Sequence, residues 1–213
     1  MIVEPPHDCA LCPRLAVHRN QLRVAHPDWH NAPVPSFGPA EAWLAIVGLA
    51  PGERGANRTG RPFTGDGAGA MLYGLLTALG LARGTYGADA NDGLVMDGVR
   101  VTNALRCLPP GNRPAVTEIH ACRPFLADEL RRGMPNLRVV VALGQVAHQS
   151  AVKALGGKLP RHRFEHGALH RLHSGHVLLD SYHCSRLNQN IGRLTADMLR
   201  AVLETAIAER RIG

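Results

Sequence analysis

Long apolar runs are missing from this sequence of 213 residues. No stretch approaches the roughly 20 apolar residues that a membrane-spanning helix needs. The opening residues, MIVEPPHDCALC, also lack the basic segment followed by an apolar segment that marks a secretion signal. These absences predict a cytoplasmic protein with no membrane partner.

Lysine is scarce as well, since Lys153 and Lys158 are the only two among 24 basic residues. Arginine supplies the rest, and a GC-rich genome accounts for that preference. It does not account for the formal net charge of +7, because 24 basic residues stand against only 17 acidic ones. A basic surface of this kind favours a polyanionic partner.

No change in composition, linker or repeat divides the chain, so we expect a single domain over residues 1–213, with 45% hydrophobic residues to fill its core. Helical patterns alternate with four short apolar runs that have the length of buried strands. These runs are WLAIVGLA, VRVTNALRC, LRVVVALG and HVLLDSY. The alternation predicts an α/β fold, a three-layer α/β/α sandwich around a central, mainly parallel four-stranded sheet.

The segments that follow these strands are rich in Gly, Asn, Arg and His. The carboxyl ends of parallel strands meet at one edge of a sheet, and ligands bind at that edge in open α/β folds. Four segments would converge there: GLAPGERGANRTGRPFTGD, NALRCLPPGNRP, GQVAH and HCSRLNQNIGR. We therefore expect the functional site at this edge.

Four of the five cysteines form two pairs with different spacing. Cys9 and Cys12 make a C-x2-C motif, whereas fourteen residues separate Cys107 from Cys122. Disulfides are not expected in a reducing compartment, which leaves metal binding, redox chemistry or burial. Four thiolates could hold zinc from two unlike half-sites, or a [4Fe–4S] cluster, which accepts ligands from scattered elements. Cys107 and Cys122 taken alone are also typical of core cysteines, but the terminal C-x2-C favours a metal.

Cys184 stands apart from these pairs, between His183 and Ser185. A nucleophilic cysteine beside a histidine is one interpretation. Adjacent residues on an extended chain point in opposite directions, however, and no second base is evident. We therefore leave Cys184 outside the metal ligand set.

Three of these segments, with the four paired cysteines, resemble the uracil-DNA glycosylase superfamily, and within it the iron–sulfur branch called family 5. The matching segments are GLAPGERGANRTGRPFTGD, NALRCLPPGNRP and HCSRLNQNIGRLT. The resemblance implies an enzyme of base-excision repair that hydrolyses the N-glycosidic bond of uracil, and of other deaminated bases such as hypoxanthine, in DNA. The nucleotide must first leave the stack, because its C1′ atom is inaccessible in a duplex. The resemblance also implies a [4Fe–4S] cluster on Cys9, Cys12, Cys107 and Cys122.

The first matching segment supplies a turn and an aromatic ring. By the resemblance, Gly48, Ala50 and Gly52 form a tight turn whose backbone approaches the flipped nucleotide, where a side chain would be in the way. Phe63 corresponds to the aromatic residue that stacks on the base. Its alternative, a core phenylalanine after Pro62, is less favoured because Gly and Arg surround it.

Asp66 is the expected group that orients or polarises the attacking water. Family 4 enzymes carry an acidic residue directly after the first glycine of this motif, and here that position is Leu49. The resemblance to family 5 also implies Asp66. This aspartate fits the N-cap of the helix GAGAMLYGLL as well, and one carboxylate can do both. Glu53 is a weaker substitute.

Two asparagines follow the second strand. The amide of Asn103 could pair with the O4 and N3–H edge of uracil, an arrangement that cytosine would reverse. The resemblance implicates an asparagine in the loop PPGNRP, which makes Asn112 a further catalytic candidate. An ordinary turn residue is an equally favoured interpretation of Asn112.

His183 is expected to stabilise the negative charge that develops on O2 of the departing uracil, whether its imidazole is neutral or charged. The loop after it would enter the minor groove, where Leu187 or Arg186 fills the hole left by the base. Most members of the superfamily have His-Pro-Ser here, whereas this chain has His183-Cys184-Ser185. The loss of the proline reduces the expected stiffness of this loop. The other loop residues expected to contact DNA are Ser185, Asn188, Asn190 and Arg193.

Two other functions compete with this one. The first is an iron–sulfur DNA-binding protein on the same fold that has lost catalysis, and the presence of Asp66, Asn103 and His183 argues against it. The second is a Rossmann-like nucleotide enzyme, but GLAPGERG lacks the spacing of a dinucleotide fingerprint and no Walker lysine follows it. The expected partner is therefore DNA containing uracil or another deaminated base, bound by a monomer.

Overall fold

Strands and helices alternate along the chain in the computed structural model, which describes residues 2–210. The strands are β1 (Leu44–Gly48), β2 (Ala82–Arg83), β3 (Val95–Met96), β4 (Val99–Asn103), β5 (Val139–Leu143), β6 (Leu169–Arg171) and β7 (Val177–Ser181). The helices are α1 (Pro13–Ala25), α2 (Ala56–Thr59), α3 (Gly67–Ala78), α4 (Val116–Asp128), α5 (Gln145–Ala154), α6 (Arg186–Asn190) and α7 (Ala196–Arg210). None of the helices within residues 2–210 combines the length and apolar content needed to cross a membrane.

The main sheet has the strand order β4-β1-β5-β7-β6. The four predicted strands are confirmed as its four parallel members. The predicted count of four is one too low, because β6 pairs antiparallel with β7 at the edge. This strand has only three residues, all at least partly exposed, so it lacks the apolar run that marks the others. Strands β2 and β3 pair separately as a small hairpin.

Helices cover both faces of the sheet, which explains why all five residues of each parallel strand are buried. On one face, α3 and α7 pack against alternate strand residues such as Ile46 and Val141. On the other face, α4 and α5 pack against the intervening residues, such as Val47 and Val140. The predicted three-layer α/β/α sandwich is confirmed.

Helix α1 lies in the Pro-rich opening, where the periodicity does not indicate a helix. Pro13 occupies its first turn, a position where the missing N–H has no helical partner to lose. Only Leu15, Arg19 and Leu22 are buried, so its apolar stripe is weak. Leu15 packs with Leu105 and Cys122, which fixes the N-terminal segment beside the loop after β4.

A buried ion cluster joins β4 to the short helical turn Glu129–Gly133 that follows α4. Each Glu129 carboxylate oxygen accepts a hydrogen bond of 2.6 Å from an arginine, Oε1 from Arg100 and Oε2 from Arg106. Oε2 also accepts one from the hydroxyl of Thr102 at 3.0 Å. Burial opposes ionisation of Glu129, but the charges of Arg106 and Arg100 outweigh it and lower its pKa. This cluster therefore remains an ion pair network inside the fold.

Candidate active site

Four loops meet at the carboxyl edge of the sheet, as the parallel arrangement predicts. Gly48 at the end of β1 lies beside Asn103 at the end of β4, and Leu143 lies beside Ser181. His183 follows two residues after β7. A Cβ atom on Gly144, which follows β5, would lie 3.5 Å from the Cβ of His183. The ends of the parallel strands therefore bring these residues to one edge.

Gly48, Asn103 and Phe63 pack closely together at the carboxyl edge, and His183 beside them lines an open cleft with Tyr182 and Arg193. A Cβ atom on Gly48 would lie 2.3 Å from Asn103 Oδ1 and 2.5 Å from Phe63 Cζ, so only glycine fits. Asn103 is 3% exposed and Phe63 is 6% exposed. An amide and an aromatic ring thus lie against bare backbone, an arrangement suited to a flat ring with hydrogen-bonding edges.

Phe63 is held in an uncommon backbone conformation, with φ at 52°. Its carbonyl accepts a hydrogen bond from the Tyr86 hydroxyl at 3.2 Å, and a Cβ atom on Gly69 would lie 1.8 Å from that carbonyl oxygen. The ring stacks toward His183 with centroids 5.9 Å apart and planes at 27°. Although Phe63 belongs to the core layer under α3, its turn aims the ring at the carboxyl edge.

His183 is half-buried beside the Phe63 ring. Burial lowers the pKa of its imidazole, and the charge of Asp66 only partly opposes this. The ring is therefore neutral near pH 7 and carries one N–H that can be donated.

Asp66 is exposed, and its two carboxylate oxygens face different partners. Oδ1 caps α3 by accepting from the N–H of Ala68 at 3.0 Å and of Gly69 at 3.4 Å. Oδ2 faces the turn after β1, where a Cβ atom on Gly55 would lie 2.5 Å from it and one on Gly52 would lie 3.2 Å away. The N-cap is therefore present, and it leaves the second oxygen directed at a glycine turn that a water molecule can share.

Side-chain hydrogen bonds hold the loop after His183 in place. Ser185 caps α6, and the Asn188 amide donates to the carbonyl of His183 at 2.7 Å. The Gln189 amide donates to the carbonyl of Cys184 at 2.6 Å and to that of Gly67, at the start of α3, at 3.1 Å. These bonds supply the stiffness that the missing proline would have given. Gln189 was not among the predicted residues, because its role depends on the approach of a distant helix.

The tip of the same loop presents apolar side chains to solvent. Leu187 is 68% exposed and Ile191 is 63% exposed. They are four residues apart, so both lie on one face of the short helical segment. Arg186 lies over Gly67, where a Cβ atom would be 2.8 Å from its Nε, and the Arg193 guanidinium lies 4.7 Å from the centre of the Tyr182 ring. The sequence spacing could have indicated Ile191 as a partner of Leu187.

Two predicted residues lie away from this site. Asn112 is exposed and lines a groove with Leu49 between α4 and α5. Ala50 packs beside the apolar group of Leu15, Leu105 and Cys122. The structure thus brings Asn103, and not Asn112, against Phe63. Asn190 and Arg193 are exposed on the loop after His183.

The paired cysteines line one pocket between the N-terminal segment, the loop after β4 and helix α4, and they are Cys9, Cys12, Cys107 and Cys122. Burial, followed by the neighbouring Cys122, raises the pKa of Cys107 to about 12. Among the described residues, no three cysteine sulfurs lie within 4.8 Å of one another. Thiolates around one tetrahedral zinc, with Zn–S of about 2.3 Å, would be about 3.8 Å apart. The four sulfurs line one pocket but are not gathered as the ligands of one bound zinc ion would be.

Cys184 is fully buried in the core layer under α3 and α7. Burial, and to a smaller extent the charge of Asp66, raises the pKa of its thiol to about 12. A thiol in this state is a poor nucleophile near neutral pH. The structure therefore argues against the interpretation of Cys184 as a catalytic nucleophile and agrees with its exclusion from the metal ligand set.

Comparison with known proteins gives a consistent result. The sequence profile of the Uracil DNA glycosylase superfamily matches residues 35–206. The chain is 44% identical to the type-5 uracil-DNA glycosylase of Thermus thermophilus, over 93% of this chain and 92% of that protein. It is 41% identical to the type-5 uracil-DNA glycosylase of Mycobacterium leprae, over 93% of this chain and 90% of that protein. It is 34% identical to the type-4 uracil-DNA glycosylase of Pyrobaculum aerophilum, over 58% and 55%.

Since the profile spans most of the chain, the chain belongs to the uracil-DNA glycosylase superfamily. Its class is that of a hydrolytic glycosylase. Within the superfamily it belongs to the type-5 branch, because type-5 relatives match over at least 93% of the chain at 39–44% identity.

Proposed function

We propose that this protein excises uracil from DNA by hydrolysing the N-glycosidic bond, and so begins base-excision repair. The observation that carries the proposal is the packing of Asn103 and Phe63 against Gly48, beside His183. Its partner is DNA that contains uracil or another deaminated base. The fold acts as one domain and as a monomer in this proposal.

In this proposal, Phe63 and Asn103 recognise the base. The flipped uracil stacks on the ring of Phe63, while the amide of Asn103 pairs with O4 and N3–H of the base. Cytosine presents the opposite order of donor and acceptor along that edge, so the same amide disfavours it. The lack of a side chain at Gly48 lets both residues pack directly against its backbone.

His183 acts on the leaving group. When the bond between C1′ and N1 breaks, the electron pair moves into the base and negative charge develops on O2. A neutral imidazole N–H can donate to that oxygen, and the bond strengthens as the charge grows. Because burial lowers the pKa of His183, this donor is already in its neutral form near pH 7.

Asp66 acts on the sugar and the water. Its Oδ2 faces the turn of Gly52 and Gly55. A water held there would donate a hydrogen bond to Oδ2, which leaves the lone pairs of the water oxygen free to attack C1′. The carboxylate also stabilises the positive charge on the sugar. The water oxygen then bonds to C1′ and its proton passes to the carboxylate, which leaves an abasic site and the uracil anion. The anion takes up a proton from solvent, and the carboxyl of Asp66 releases its proton to solvent.

Extrusion of the base falls to the loop after His183. Leu187 is exposed at its tip, with Ile191 on the same face, and either fits the gap left in the stack. Arg186 and Arg193 lie at the base of this tip and can meet phosphates, with Ser185, Asn188 and Asn190 alongside. Asn112, exposed on the neighbouring groove, is proposed as a further contact to the flipped nucleotide.

The first experiment measures base release by the purified full-length protein from duplexes with one uracil, one hypoxanthine or neither. Asp66→Asn keeps an N-cap side chain but removes the charge, so helix α3 should persist while excision of both bases falls about 100-fold. A substitution of His183 should instead change the ratio of uracil to hypoxanthine release. His173→Ala, an exposed histidine remote from this site, is the control. Tight binding without release by the unaltered protein would favour the DNA-binding alternative.

We also propose that Cys9, Cys12, Cys107 and Cys122 hold a [4Fe–4S] cluster. In support, all four line one pocket, and a [4Fe–4S] cluster takes four thiolates from scattered elements such as these. The bound group would fasten the N-terminal segment to the loop after β4. Purified protein should be brown and contain four iron and four sulfide per chain. Cys107→Ser should lose the colour and Cys184→Ser should keep it, whereas a colourless protein with one zinc would contradict the proposal.

A further inference from the structure

Five of the twelve histidines lie in one short tract, residues 162–176, which the proposed glycosylase site does not use. They are His162, His166, His170, His173 and His176. Short histidine-rich tracts are typical of metal binding. The tract covers β6 and the segment before it, at the edge of the sheet next to β7.

One member of the tract meets two buried groups from other elements. His170 Nε2 lies 2.9 Å from Asp180 Oδ2 on β7, and His148 Nδ1 on α5 lies 2.7 Å from Asp180 Oδ1. Asp180 and His148 are at most 1% exposed, while the His170 side chain is 11% exposed. One ligand atom from each residue lies within 4.8 Å of the other two, and this is the only such group of three among residues 2–210.

The hydrogen bonds around His148 leave a position for a cation. Its Nε2 lies 2.9 Å from the carbonyl oxygen of His162, which can only accept, so the proton of a neutral ring belongs on Nε2. The lone pair of Nδ1 then faces the Asp180 carboxylate at 2.7 Å. Nδ1 and the carboxylate oxygen are then both acceptors, and a cation between them would satisfy both. A metal ligand histidine commonly donates its other N–H to a backbone carbonyl in this manner. A second proton on His148 is the other way to satisfy the geometry.

We propose that His148, His170 and Asp180 bind one divalent transition metal ion of the zinc class. Two imidazoles and a carboxylate are a typical donor set for Zn²⁺, with water as the fourth ligand. Tetrahedral ligands at about 2.0–2.1 Å from zinc are about 3.3 Å apart, so each imidazole nitrogen needs to move about half an ångström from its Asp180 oxygen, and the two nitrogens already lie within 4.8 Å of each other. The partly exposed His170 gives the ion and its water access from solvent.

The metal would fasten the segment before β6 next to the proposed glycosylase site. Asp180 already accepts from the N–H of Glu165 at 3.4 Å, and Phe164 and Glu165 line a cleft with His183 and Arg193. The ion therefore ties one wall of that cleft to β7 and α5. It is separate from the cysteine pocket, which lies against α4 and the N-terminal segment.

Cobalt(II) distinguishes this site from the cysteines. Purified holoprotein, cleared of loose metal with EDTA, is titrated with Co²⁺, and we expect one equivalent with visible d–d bands and no thiolate charge-transfer band. His170→Ala should weaken this binding at least about tenfold. His173→Ala removes an exposed histidine of the same tract and should bind as the unaltered protein does. Equal binding by the two variants, or no cobalt spectrum at all, would overturn the proposal in favour of a protonated His148.

Thermal unfolding gives a second measurement that does not depend on colour. Zn²⁺ at about a hundredfold excess over its Kd should raise the apparent Tm of the protein and of His173→Ala by about 5–10 °C. His170→Ala should show no such shift. If that variant folds poorly by circular dichroism, His170→Gln keeps a hydrogen-bond donor toward Asp180 and should fold yet lack the shift. A zinc shift in folded His170→Gln equal to that of His173→Ala would contradict the site.

Discussion

Strand β4 contributes to two polar regions that differ in how their charges are matched. Arg100 and Thr102 point to one face, where Glu129 takes hydrogen bonds from both and from Arg106 within 3.0 Å. Asn103, one residue further, points to the opposite face and meets Phe63 at the carboxyl edge. There the charge of Asp66 is exposed and the imidazole of His183 is neutral.

The two regions therefore have different roles, one in stability and the other in catalysis. In the Glu129 cluster the two arginines also contact a second carboxylate, that of Glu4, so each charge faces an opposite charge and little capacity is left to act on another molecule. At the carboxyl edge, Asp66 has one oxygen committed to capping and one directed at a glycine turn, and His183 keeps an N–H to donate. Substitutions in the first region should therefore affect folding, and substitutions in the second should affect excision.

The largest expected effect is on stability, from Glu129→Ala. This change leaves the buried Arg100 and Arg106 with only the more exposed carboxylate of Glu4, so the free energy of unfolding should fall by about 3 kcal/mol in urea denaturation. Arg132→Ala removes an exposed arginine that pairs with Asp128 and should lower it by less than about 1 kcal/mol. Similar losses in the two variants would mean that the buried network is not specially important.

Unlike Glu129→Ala, which should affect stability, Gly48→Ala should mainly affect excision. The added methyl would lie 2.3 Å from Asn103 Oδ1 and 2.5 Å from Phe63 Cζ, which displaces both by about 1 Å or more and should slow uracil release about 100-fold. Gly74→Ala, on an open face of α3, meets nothing within 4 Å. That control should keep full activity and gain up to about 1 kcal/mol of stability. Normal excision by Gly48→Ala would exclude this group of residues as the base site.

Leu187→Ala should have a smaller effect that depends on the DNA. Base extrusion requires unstacking, so excision from a G·C-flanked duplex should slow about tenfold while excision from single-stranded DNA hardly changes. Val24→Ala removes an 85% exposed side chain from α1 and should alter neither rate. Equal losses of Leu187→Ala on both substrates would indicate a folding role instead.

The smallest expected effect is on the pH dependence of stability. Burial lowers the pKa of His183, so as pH falls through about 6.5 the unfolded chain takes up this proton before the folded chain does. Stability is therefore lost on acidification, and His183→Asn should lose less of it between pH 7 and pH 5 than the unaltered protein. Denaturation curves at the two pH values give the comparison. A steeper loss in His183→Asn would contradict the assigned direction.

The parallel strands could be predicted from the sequence because each is a buried apolar run, and the edge where they end followed from geometry. Strand β6 and helix α1 could not, because neither has a strong apolar pattern. Asp66 illustrates an intermediate case. Its N-cap could be predicted from the helix that follows, but the second oxygen facing Gly55 depends on how two loops approach each other.

Contacts between residues far apart in the chain were the main features that the sequence could not predict. Glu129 looks like an ordinary charged helix residue until Arg100 and Arg106 are brought to it. Gln189 likewise matters only because its amide reaches Gly67 at the start of α3. Asn103 and Asn112 were equally plausible from the sequence, and only the register of β4 with β1 distinguishes the buried amide from the exposed one.

The central claim is that the unpaired groups at the carboxyl edge perform the chemistry, and the single-turnover rate of His183→Ala tests it most directly. With enzyme in excess over a uracil-containing duplex, this variant should release uracil about 100-fold or more slowly than the unaltered protein. Its Kd for the same duplex and its Tm should stay close to normal. A near-normal rate, or a loss fully explained by weaker binding or by unfolding, would contradict the assignment of His183 to the leaving group.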